Sequence, residues 1–312
     1  MKVSVFGGAG FVGSHVCDVL CKAGHEVTVL DGLLPETGGV AGGWRPVSKV
    51  RMIHSSIEEY EGLDDLVKES DVIIDSMGWT RHLSAIKNPL YDMELNVMSH
   101  IVLIEALKKC TDKKVIYLGS RGQYGNPNVD EITEETPQVA EDIQGIHKTA
   151  GELHFRELAK RSNHSVISLR FGNTYGERQP MIGDDIGLFG MFVRDLMDDK
   201  SIELYGSGRA RPFVYAKDIG EACQFLLNGS ETGFEAYNLG SRGVDLETLS
   251  HELIKNLKTG SYSVVEAPAE IKAIDIGKAE FSMDKFSKQH PDFELADFAA
   301  SIQSTVNSIK TK

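Results

Sequence analysis

Glycine residues near the start of the chain recur with the spacing needed to bind a phosphate group. They follow the β-rich run Lys2–Phe6 and open a helical pattern that begins near Val12. Glycine permits a sharp turn and a close approach of the backbone to a pyrophosphate, while the N-terminus of the following helix offers free N–H groups to the anion. This context predicts a dinucleotide phosphate loop made of Gly7, Gly10, Phe11, Val12 and Gly13.

A carboxylate is expected beside this loop. Asp31 closes the second β-rich run, Glu26–Leu30, at the separation from the glycines at which a carboxylate accepts hydrogen bonds from the adenosine ribose. No Arg or Lys occurs between Gly32 and Gly43, so a 2′-phosphate here would meet negative charge without compensation. The sequence therefore predicts NAD, rather than NADP, as the cofactor.

Strand-like and helix-like segments alternate through the first half of the chain. Strands separated by helices imply right-handed crossovers and a parallel sheet. The predicted fold is therefore of the α/β class, a Rossmann-type doubly wound parallel sheet with a smaller C-terminal substrate-binding lobe. Beyond the first two strands, we predict strands over Val50–His54, Asp71–Asp75, Lys114–Leu118 and Ser165–Arg170, and helices over Ile57–Glu69, Pro89–Lys109 and Gly145–Lys160.

The domain boundary is predicted after Arg170, where the regular alternation of strand-like and helix-like segments ends. Residues 1–170 are predicted to form the NAD-binding Rossmann domain, and residues 171–312 the substrate-binding lobe. The hydrophobic run Glu235–Leu239 is expected to return to the main sheet, so that a segment near 235–245 belongs to the first domain. The glycine-rich segment Gly38–Gly43 is predicted to be a mobile loop.

The composition argues against several classes of protein. The chain has 312 residues, of which 41% are hydrophobic and 25% are charged. It holds no apolar run of the roughly 20 residues needed to cross a bilayer. The formal net charge of -13 argues against binding to nucleic acid phosphates, and the four cysteines show no CxxC pair. We expect a soluble, cytoplasmic protein with no nucleic-acid, membrane or metal partner.

Further motifs follow in a characteristic order along the chain. They occupy residues 88–89 and 96–97, 117–125 after the fifth strand, 169–176 after the sixth, and 211–215 with 218–219. Together with the spacing of the three loop glycines, they make the sequence resemble the extended short-chain dehydrogenase/reductase family. Members of that family include NAD-dependent nucleotide-sugar epimerases and dehydratases, and the resemblance extends through much of the chain.

The resemblance implies a role for each matching residue. Ser120 would hydrogen-bond the reacting sugar oxygen, and Lys148 would bind the nicotinamide ribose and lower the pKa of a neighbouring acid/base. Cofactor contacts are implied for Ser56, Ile57, Ser76, Met77, Gly78 and Phe171, with Asn96 behind the active site. Substrate contacts are implied for Arg81, Arg121, Asn173, Arg178 and Arg211.

Arg211 also has a physical rationale as a substrate residue. Its planar guanidinium group presents donors in a geometry that suits phosphate oxygens. Arg178 and Arg209 are nearby alternatives, and a surface salt bridge is the competing interpretation. The acidic residue that usually follows this arginine in the family is replaced by Pro212. The resemblance favours a nucleotide-sugar substrate.

One position departs from the family pattern in a way that bears on the chemistry. The catalytic tyrosine of the family stands four residues before the lysine, and this chain has Gln144 there. An amide does not ionise near neutral pH, so it does not abstract a hydroxyl proton. Three residues are alternative acid/base groups, namely His147 on the same helix, His82 and Tyr124. Loss of redox catalysis is the fourth interpretation.

Two classes of function therefore remain open from the sequence. The leading hypothesis is an NAD-dependent nucleotide-sugar epimerase that transiently oxidises a sugar hydroxyl. A dehydratase or reductase is less favoured, because family dehydratases place an Asp-Glu pair where this chain has Arg121 and Gly122. The alternative is a protein that binds NAD(P) and a nucleotide sugar without turnover, as a regulator or scaffold. The sugar, the base and the pathway are not predicted.

A homodimer is expected from the same resemblance. Family members pair through the two helices predicted here over Pro89–Lys109 and Gly145–Lys160. Both segments carry apolar residues in excess of one helix face. These residues are Val97, Ile101, Val102, Ile104, Leu153, Phe155 and Leu158.

Overall fold

Seven strands pair in parallel to form the central sheet of the computed structural model, which describes residues 1–34, 44–46, 50–183, 186–266 and 280–311. Numbered along the chain, their spatial order is β12-β7-β5-β4-β1-β2-β3. This order reverses direction at β1, as expected for a doubly wound sheet. The strands are β1 (Lys2–Phe6), β2 (Glu26–Asp31), β3 (Val50–His54), β4 (Val72–Asp75), β5 (Lys114–Ser120), β7 (Ser165–Phe171) and β12 (Phe234–Leu239).

Helices cover both faces of this sheet. On one face, α1 (Phe11–Lys22) and α8 (Ala216–Leu227) pack on side chains such as Val3 and Val5. On the other face lie α2 (Leu63–Glu69), α5 (Ser99–Leu107) and α6 (Ile143–Arg161). Both faces of central strands such as β1 and β4 are therefore buried, which explains why their sequences are mostly apolar, whereas the edge strand β3 is partly exposed.

Shorter elements complete the chain. The helices are α3 (His82–Lys87), α4 (Pro89–Met93), α7 (Gly187–Met197), α9 (Leu246–Leu257), α10 (Asp284–Gln289) and α11 (Phe298–Lys310). A π-helical turn (Glu94–Met98) joins α4 to α5, and a 3₁₀ turn (Arg121–Tyr124) follows β5. The remaining short strands are β6 (Glu131–Ile132), β8 (Asn173–Tyr175), β9 (Ser201–Tyr205), β10 (Ala210–Arg211), β11 (Phe213–Tyr215), β13 (Val244–Asp245), β14 (Ser261–Val265) and β15 (Glu280–Phe281).

A separate hydrophobic core lies in the C-terminal half. It joins α7, α9 and α11 to the strand pairs β8–β11 and β9–β14, and Tyr175 stacks on Phe189 at its centre. β12 comes from this half of the sequence but pairs with β7 at the edge of the main sheet. The lobe is thus connected to the sheet through more than one segment.

The predicted α/β fold is confirmed, and the differences are local. The helix predicted over Ile57–Glu69 begins only at Leu63. A turn precedes it, in which Leu63 N donates to the Tyr60 carbonyl, and the acidic residues in the first helical turn stabilise a start at this point. The segment Gly38–Gly43 lies outside the described residues. Within the described parts of the chain, no helix is long and apolar enough to span a membrane.

Candidate active site

The glycine loop after β1 is a close-packed turn. Gly7 has a φ of 75°, which glycine adopts without strain, and its N–H donates to the Leu30 carbonyl. A Cβ on Gly13 would lie 2.3 Å from the carbonyl oxygen of Gly7, so only glycine permits this approach of α1 to the loop. No described side chain caps the N-terminus of α1 at Gly10. Phe11 and Val12 form the first turn there, and their end of the helix suits a pyrophosphate.

Asp31 lies beneath this loop at the end of β2. Its Oδ2 accepts a hydrogen bond from Ala9 N at 2.9 Å, and its Oδ1 accepts one from Leu33 N at 2.8 Å. Burial raises the pKa of Asp31, although both backbone hydrogen bonds oppose that shift. Each oxygen keeps a lone pair for a ribose hydroxyl. Ser56 and the buried Ile57 follow the neighbouring strand β3.

We predict that the protein binds NAD more tightly than NADP and that Asp31→Ala narrows the difference. Loss of a hydrogen bond to a charged group costs about 1.5–3 kcal/mol, so NAD affinity should fall roughly 10- to 100-fold. Titration calorimetry with both cofactors measures this. Asp65→Ala, on the exposed surface of α2, is the control and should change neither affinity. Equal affinities of the parent protein for the two cofactors would contradict the prediction.

The segment after β4 connects the loop to Lys148. Ser76 Oγ donates to the Gly7 carbonyl at 3.0 Å, and the Met77 carbonyl accepts from Lys148 Nζ at 3.0 Å. A Cβ on Gly78 would lie 2.7 Å from that Nζ and 2.9 Å from Asn96 Oδ1. Gly78 therefore leaves room for both polar groups. Burial lowers the pKa of Lys148 to about 8.

Gln144 lies one helical turn before Lys148 on α6 and is buried. Its Nε2 donates to the Trp79 carbonyl at 2.9 Å. Asn96, on the π-helical turn, donates to the same carbonyl through its Nδ2 and accepts from the Trp79 N–H through its Oδ1. The amide of Gln144 is therefore fixed on the backbone of the segment that follows β4.

Ser120 ends β5 at the same edge of the sheet. Its N–H donates to Gln123 Oε1, and its Oγ accepts from Gly122 N at 3.1 Å. The hydroxyl hydrogen can still be donated to a ligand oxygen. Phe171 ends β7 and is paired with Ser120 across the two strands. The structure thus brings Ser120, Lys148, Gln144 and Phe171 to the carboxyl edge of the sheet, where ligands of doubly wound proteins bind.

Each of the alternative acid/base residues is bound to another side chain, the two histidines through their Nδ1 atoms. His147 Nδ1 lies 2.6 Å from Asp92 Oδ1, and His82 Nδ1 lies 2.7 Å from Asp142 Oδ2. Tyr124 is fully buried, where its hydroxyl donates to Asn238 and accepts from Arg170 Nη1. Burial raises the pKa of Tyr124 to about 12. The assignment of Tyr124 as an acid/base is therefore withdrawn, because the phenol is fixed in an internal network.

Two of the predicted substrate arginines lie close together. Burial, followed by repulsion from Arg211, lowers the pKa of Arg121. Within the described residues, the buried Nε of Arg121 has no hydrogen-bond partner. Asn173 pairs with Phe213 across β8 and β11, two residues from Arg211. Like charges held together with an unsatisfied donor are typical of a site that binds an anion.

The other two arginines lie at different places. Arg178 pairs with Asp18 of α1 at 3.0 Å, next to the buried His15. This ion pair joins the segment after β8 to the helix that opens at the glycine loop, but the buried Nε of Arg178 has no hydrogen-bond partner within the described residues, and its contact with the substrate stays a prediction. Arg81 lies near Gly183, with Nη1 3.1 Å from the position of a Cβ there. It follows β4 in the chain, and its contact with the substrate stays a prediction.

Sequence reasoning missed the buried carboxylates around Lys148. Asp75 ends β4 and binds Met77 N and His100 Nδ1, while Asp92 binds Asn96 Nδ2 and His147 Nδ1. Both carboxylates are completely buried. Asp75 stands at the end of a strand, as Asp31 does. This position in the sequence could have indicated that Asp75 lies at the site. Asp92 precedes Asn96 by one helical turn.

Comparisons with known proteins place the chain in a family. Residues 3–240 match the model of the NAD dependent epimerase/dehydratase family. A Methanocaldococcus jannaschii protein with the provisional name UDP-glucose 4-epimerase is 30% identical over 260 residues, which cover 82% of this chain and 81% of that protein.

Solved structures share the fold over the whole chain. The UDP-N-acetylglucosamine 4-epimerase of Methanobrevibacter ruminantium, in complex with UDP-N-acetylmuramic acid, has a TM-score of 0.87 at 21% identity, covering 99% of this chain and 98% of that one. The Thermus thermophilus UDP-glucose 4-epimerase in complex with NAD has a TM-score of 0.82 at 24% identity, covering 99% of both chains. The glycine loop and Asp31 fit the same cofactor, and the chain belongs to the NAD-dependent epimerase/dehydratase family of enzymes.

Proposed function

We propose that this protein is an NAD-dependent enzyme that epimerises a nucleotide sugar by transient oxidation of a sugar hydroxyl. The observation that carries the proposal is the pair Arg121 and Arg211, two positive charges whose repulsion adds to burial in lowering the pKa of Arg121 against the attraction of Glu141. The buried Nε of Arg121 has no hydrogen-bond partner within the described residues, and the diphosphate of a nucleotide sugar would supply an acceptor and negative charge there. The names of the curated relatives support the same class of substrate.

Some of these residues would bind the substrate, and others would act on its sugar. Arg121 and Arg211 would hold the diphosphate with Asn173, and Ser120 would donate its hydroxyl hydrogen to the reacting sugar oxygen. Bound NAD would supply a reversible hydride acceptor. Lys148, at the Met77 carbonyl, would lie beside the nicotinamide ribose. The chain would thus orient the sugar, exclude water and move a proton.

A second candidate is a protein that binds both ligands without turnover. The replacement of the expected tyrosine by Gln144 favours this alternative, because the amide is fixed on the Trp79 carbonyl and does not ionise. Addition of UDP-glucose or UDP-N-acetylglucosamine to the NAD-bound protein distinguishes the two. An enzyme produces NADH absorbance or the epimeric sugar, whereas a binder shows only thermal protection.

The substrate assignment predicts that Arg211→Ala weakens nucleotide-sugar binding roughly 10- to 100-fold while NAD binding is retained. Loss of a charge-assisted hydrogen bond costs about 1.5–3 kcal/mol, and the two ligands occupy different parts of the site. Calorimetric titration with UDP-glucose and, separately, with NAD checks this. Arg161→Ala, at the exposed end of α6, is the control. Equal losses for both ligands in Arg211→Ala would contradict the assignment.

Apolar side chains are exposed together on neighbouring helices. They belong to α3, α4, the π-helical turn and α6, which contact one another. These residues are Leu83, Ile86, Leu90, Met93, Met98, Ile146 and Leu153. The sequence pattern pointed partly to other positions, because Val97, Ile104, Phe155 and Leu158 are buried within the chain itself. One face of each helix packs on its own protein, and the exposed face is the one available to a second copy.

We predict a homodimer through this exposed apolar surface. Leu153 is 50% exposed on α6, and Leu153→Glu should convert the dimer to a monomer because it places a charge in the apolar contact. Sedimentation at micromolar concentration measures the mass. Met197→Glu, on the exposed side of α7, should leave the dimer intact. A monomeric parent protein would disprove the prediction.

A further inference from the structure

We infer that Lys148 is the acid/base of this site and that its amine accepts the proton of the reacting sugar hydroxyl directly. The inference rests on the proposed function and names the group that carries the proton in the absence of a tyrosine. It follows from the contacts of Lys148 and from those of Gln144, His147 and His82.

Gln144 occupies the expected position of a phenol but presents a different group. Its Nε2 is used by the Trp79 carbonyl, and no described donor reaches its Oε1. The amide thus offers a hydrogen-bond acceptor, which can orient a ligand hydroxyl but does not remove its proton. A separate group must therefore take the proton.

The two histidines do not face the same space as Lys148. Consecutive residues of a helix project about 100° apart, so His147 and Lys148 point to different neighbours. His147 binds Asp92 on α4, whereas Lys148 reaches the segment after β4. His82 is about half exposed where it binds Asp142, at the start of α6, and hydride transfer needs a site that excludes water.

The surroundings of Lys148 prepare its amine to accept a proton. Nζ donates to the Met77 carbonyl at 3.0 Å and to the Leu118 carbonyl at 3.4 Å, above the ring of Tyr117. A neutral amine has two N–H bonds and one lone pair. When both carbonyls are bound, the lone pair is left as the proton acceptor. Leu118 precedes Ser120 by two residues on β5, so this nitrogen and the Ser120 hydroxyl lie at the same edge of the sheet.

Charged groups from several elements determine how readily this amine gains a proton. Asp75 of β4 is paired with His100 of α5, and Asp92 of α4 is paired with His147 of α6. Burial lowers the pKa of Lys148 to about 8, while Asp75 and Asp92 raise it. The neutral amine is therefore accessible near neutral pH, and the same carboxylates stabilise the ammonium once the proton arrives.

The step balances without any further reactant. Lys148 would take the hydroxyl proton, while bound NAD, held by the glycine loop and Asp31, would supply the acceptor for the carbon-bound hydrogen and its electron pair, so that the alcohol becomes a ketone. In the return step the Lys148 ammonium would give the proton back to the oxygen as the ketone regains the hydride on its other face. The enzyme and the cofactor end as they began.

The protonation of Lys148 can be measured without turnover. NMR titration of the cofactor-free protein, with lysine labelled at the ε-carbon, should show one signal with a midpoint near pH 8 that disappears in Lys148→Arg. Asp75→Asn should move the midpoint to lower pH, because a carboxylate that stabilises the ammonium is removed. If Asp75→Asn does not fold, Asp92→Asn on α4 should likewise move the midpoint to lower pH. A midpoint in the ordinary lysine range would overturn the inference.

Activity measurements then test the role itself. Turnover of UDP-glucose should rise with pH through the Lys148 midpoint, fall roughly 100-fold or more in Lys148→Arg, and be partly restored to Lys148→Ala by added methylamine. Lys160→Arg, further along α6, is the control. Retention of activity within tenfold in Lys148→Arg would overturn the inference and leave the proposed function intact. Absence of turnover in the parent protein at every pH, with both ligands bound, would instead overturn the proposed function, while the NMR midpoint still tests the neutral amine.

Discussion

Gln144→Tyr should raise the rate of sugar oxidation by up to roughly 100-fold, because the phenol would replace Lys148 as the acid/base and leave the amine as an ammonium that stabilises the phenolate. The phenol would stand one helical turn before Lys148, whose amine is held at the Met77 carbonyl. A nearby ammonium lowers the pKa of a phenol and makes it a better proton acceptor. Single-turnover formation of NADH with UDP-glucose measures the effect.

The control and the opposite outcome are both informative. Gln144→Leu removes the donor to the Trp79 carbonyl without adding an ionisable group, so it should not raise the rate. If Gln144→Tyr lowers the rate while His147→Ala or His82→Ala lowers it much further, a histidine has taken over the proton transfer. No turnover in any of these proteins, with both ligands still bound, would favour the binding protein.

The second large effect concerns Glu152, which lies beneath the 3₁₀ turn that carries Arg121. Glu152 is buried and accepts hydrogen bonds from Arg170, Ser168, Gln123 and Gln138. Glu152→Gln leaves the buried guanidinium of Arg170 without its counter-charge. Breaking a buried ion pair from one side costs about 3–5 kcal/mol, so the free energy of unfolding should fall by that amount. Urea denaturation measures it.

The ion pair of Glu152 and Arg170 also predicts how the free energy of unfolding depends on pH. Burial alone would raise the pKa of Glu152, but the hydrogen bonds and charge of Arg170 outweigh it and hold that pKa below its usual value. A carboxyl group with a depressed pKa in the folded state stabilises above its unfolded pKa of about 4.3, and this stabilisation is lost as the pH falls through the folded pKa. Glu152→Gln should therefore be less sensitive to acid than the parent protein.

Glu157→Gln provides the matched control for Glu152. Glu157 lies on the same helix and also pairs with an arginine, Arg161, but the pair is exposed. Exposed ion pairs contribute about 0–1 kcal/mol, because water screens the charges. Similar decreases in the free energy of unfolding for Glu152→Gln and Glu157→Gln would contradict the prediction that the buried ion pair contributes more than the exposed one.

The fold was predictable from the sequence because its signals are local. β1 and β3 have the predicted bounds, since short β-branched runs bounded by helical patterns define the strands of a parallel sheet. The glycine loop and Asp31 follow from the same order of elements. Even the start of a helix depends on a single turn, however, and the predicted start at Ile57 was wrong by several residues.

The polar surroundings of Lys148 were not predictable in the same way. Asp75 meets His100, and Asp92 meets His147, only because β4, α4, α5 and α6 pack side by side. Neither pair has a characteristic spacing along the chain. The network of Glu152 and Arg170 joins a helix to the following strand for the same reason. Long-range pairing of buried charges depends on tertiary packing, which hydrophobic periodicity does not encode.

The π-helical turn at Glu94–Met98 determines how this helical segment would respond to the loss of one residue. A π-helical turn closes its hydrogen bond over one residue more than an α-helical turn. Deletion of one residue within it would let α4 and α5 fuse into a regular helix, with little loss of helical structure. Because the π-helical turn already accommodates this one extra residue, the helices before and after it would keep nearly the same relative orientation. If the deleted residue were Asn96, His147 would keep Asp92 while Trp79 lost its contacts with Asn96, so the helix would remain folded with one contact of the site removed.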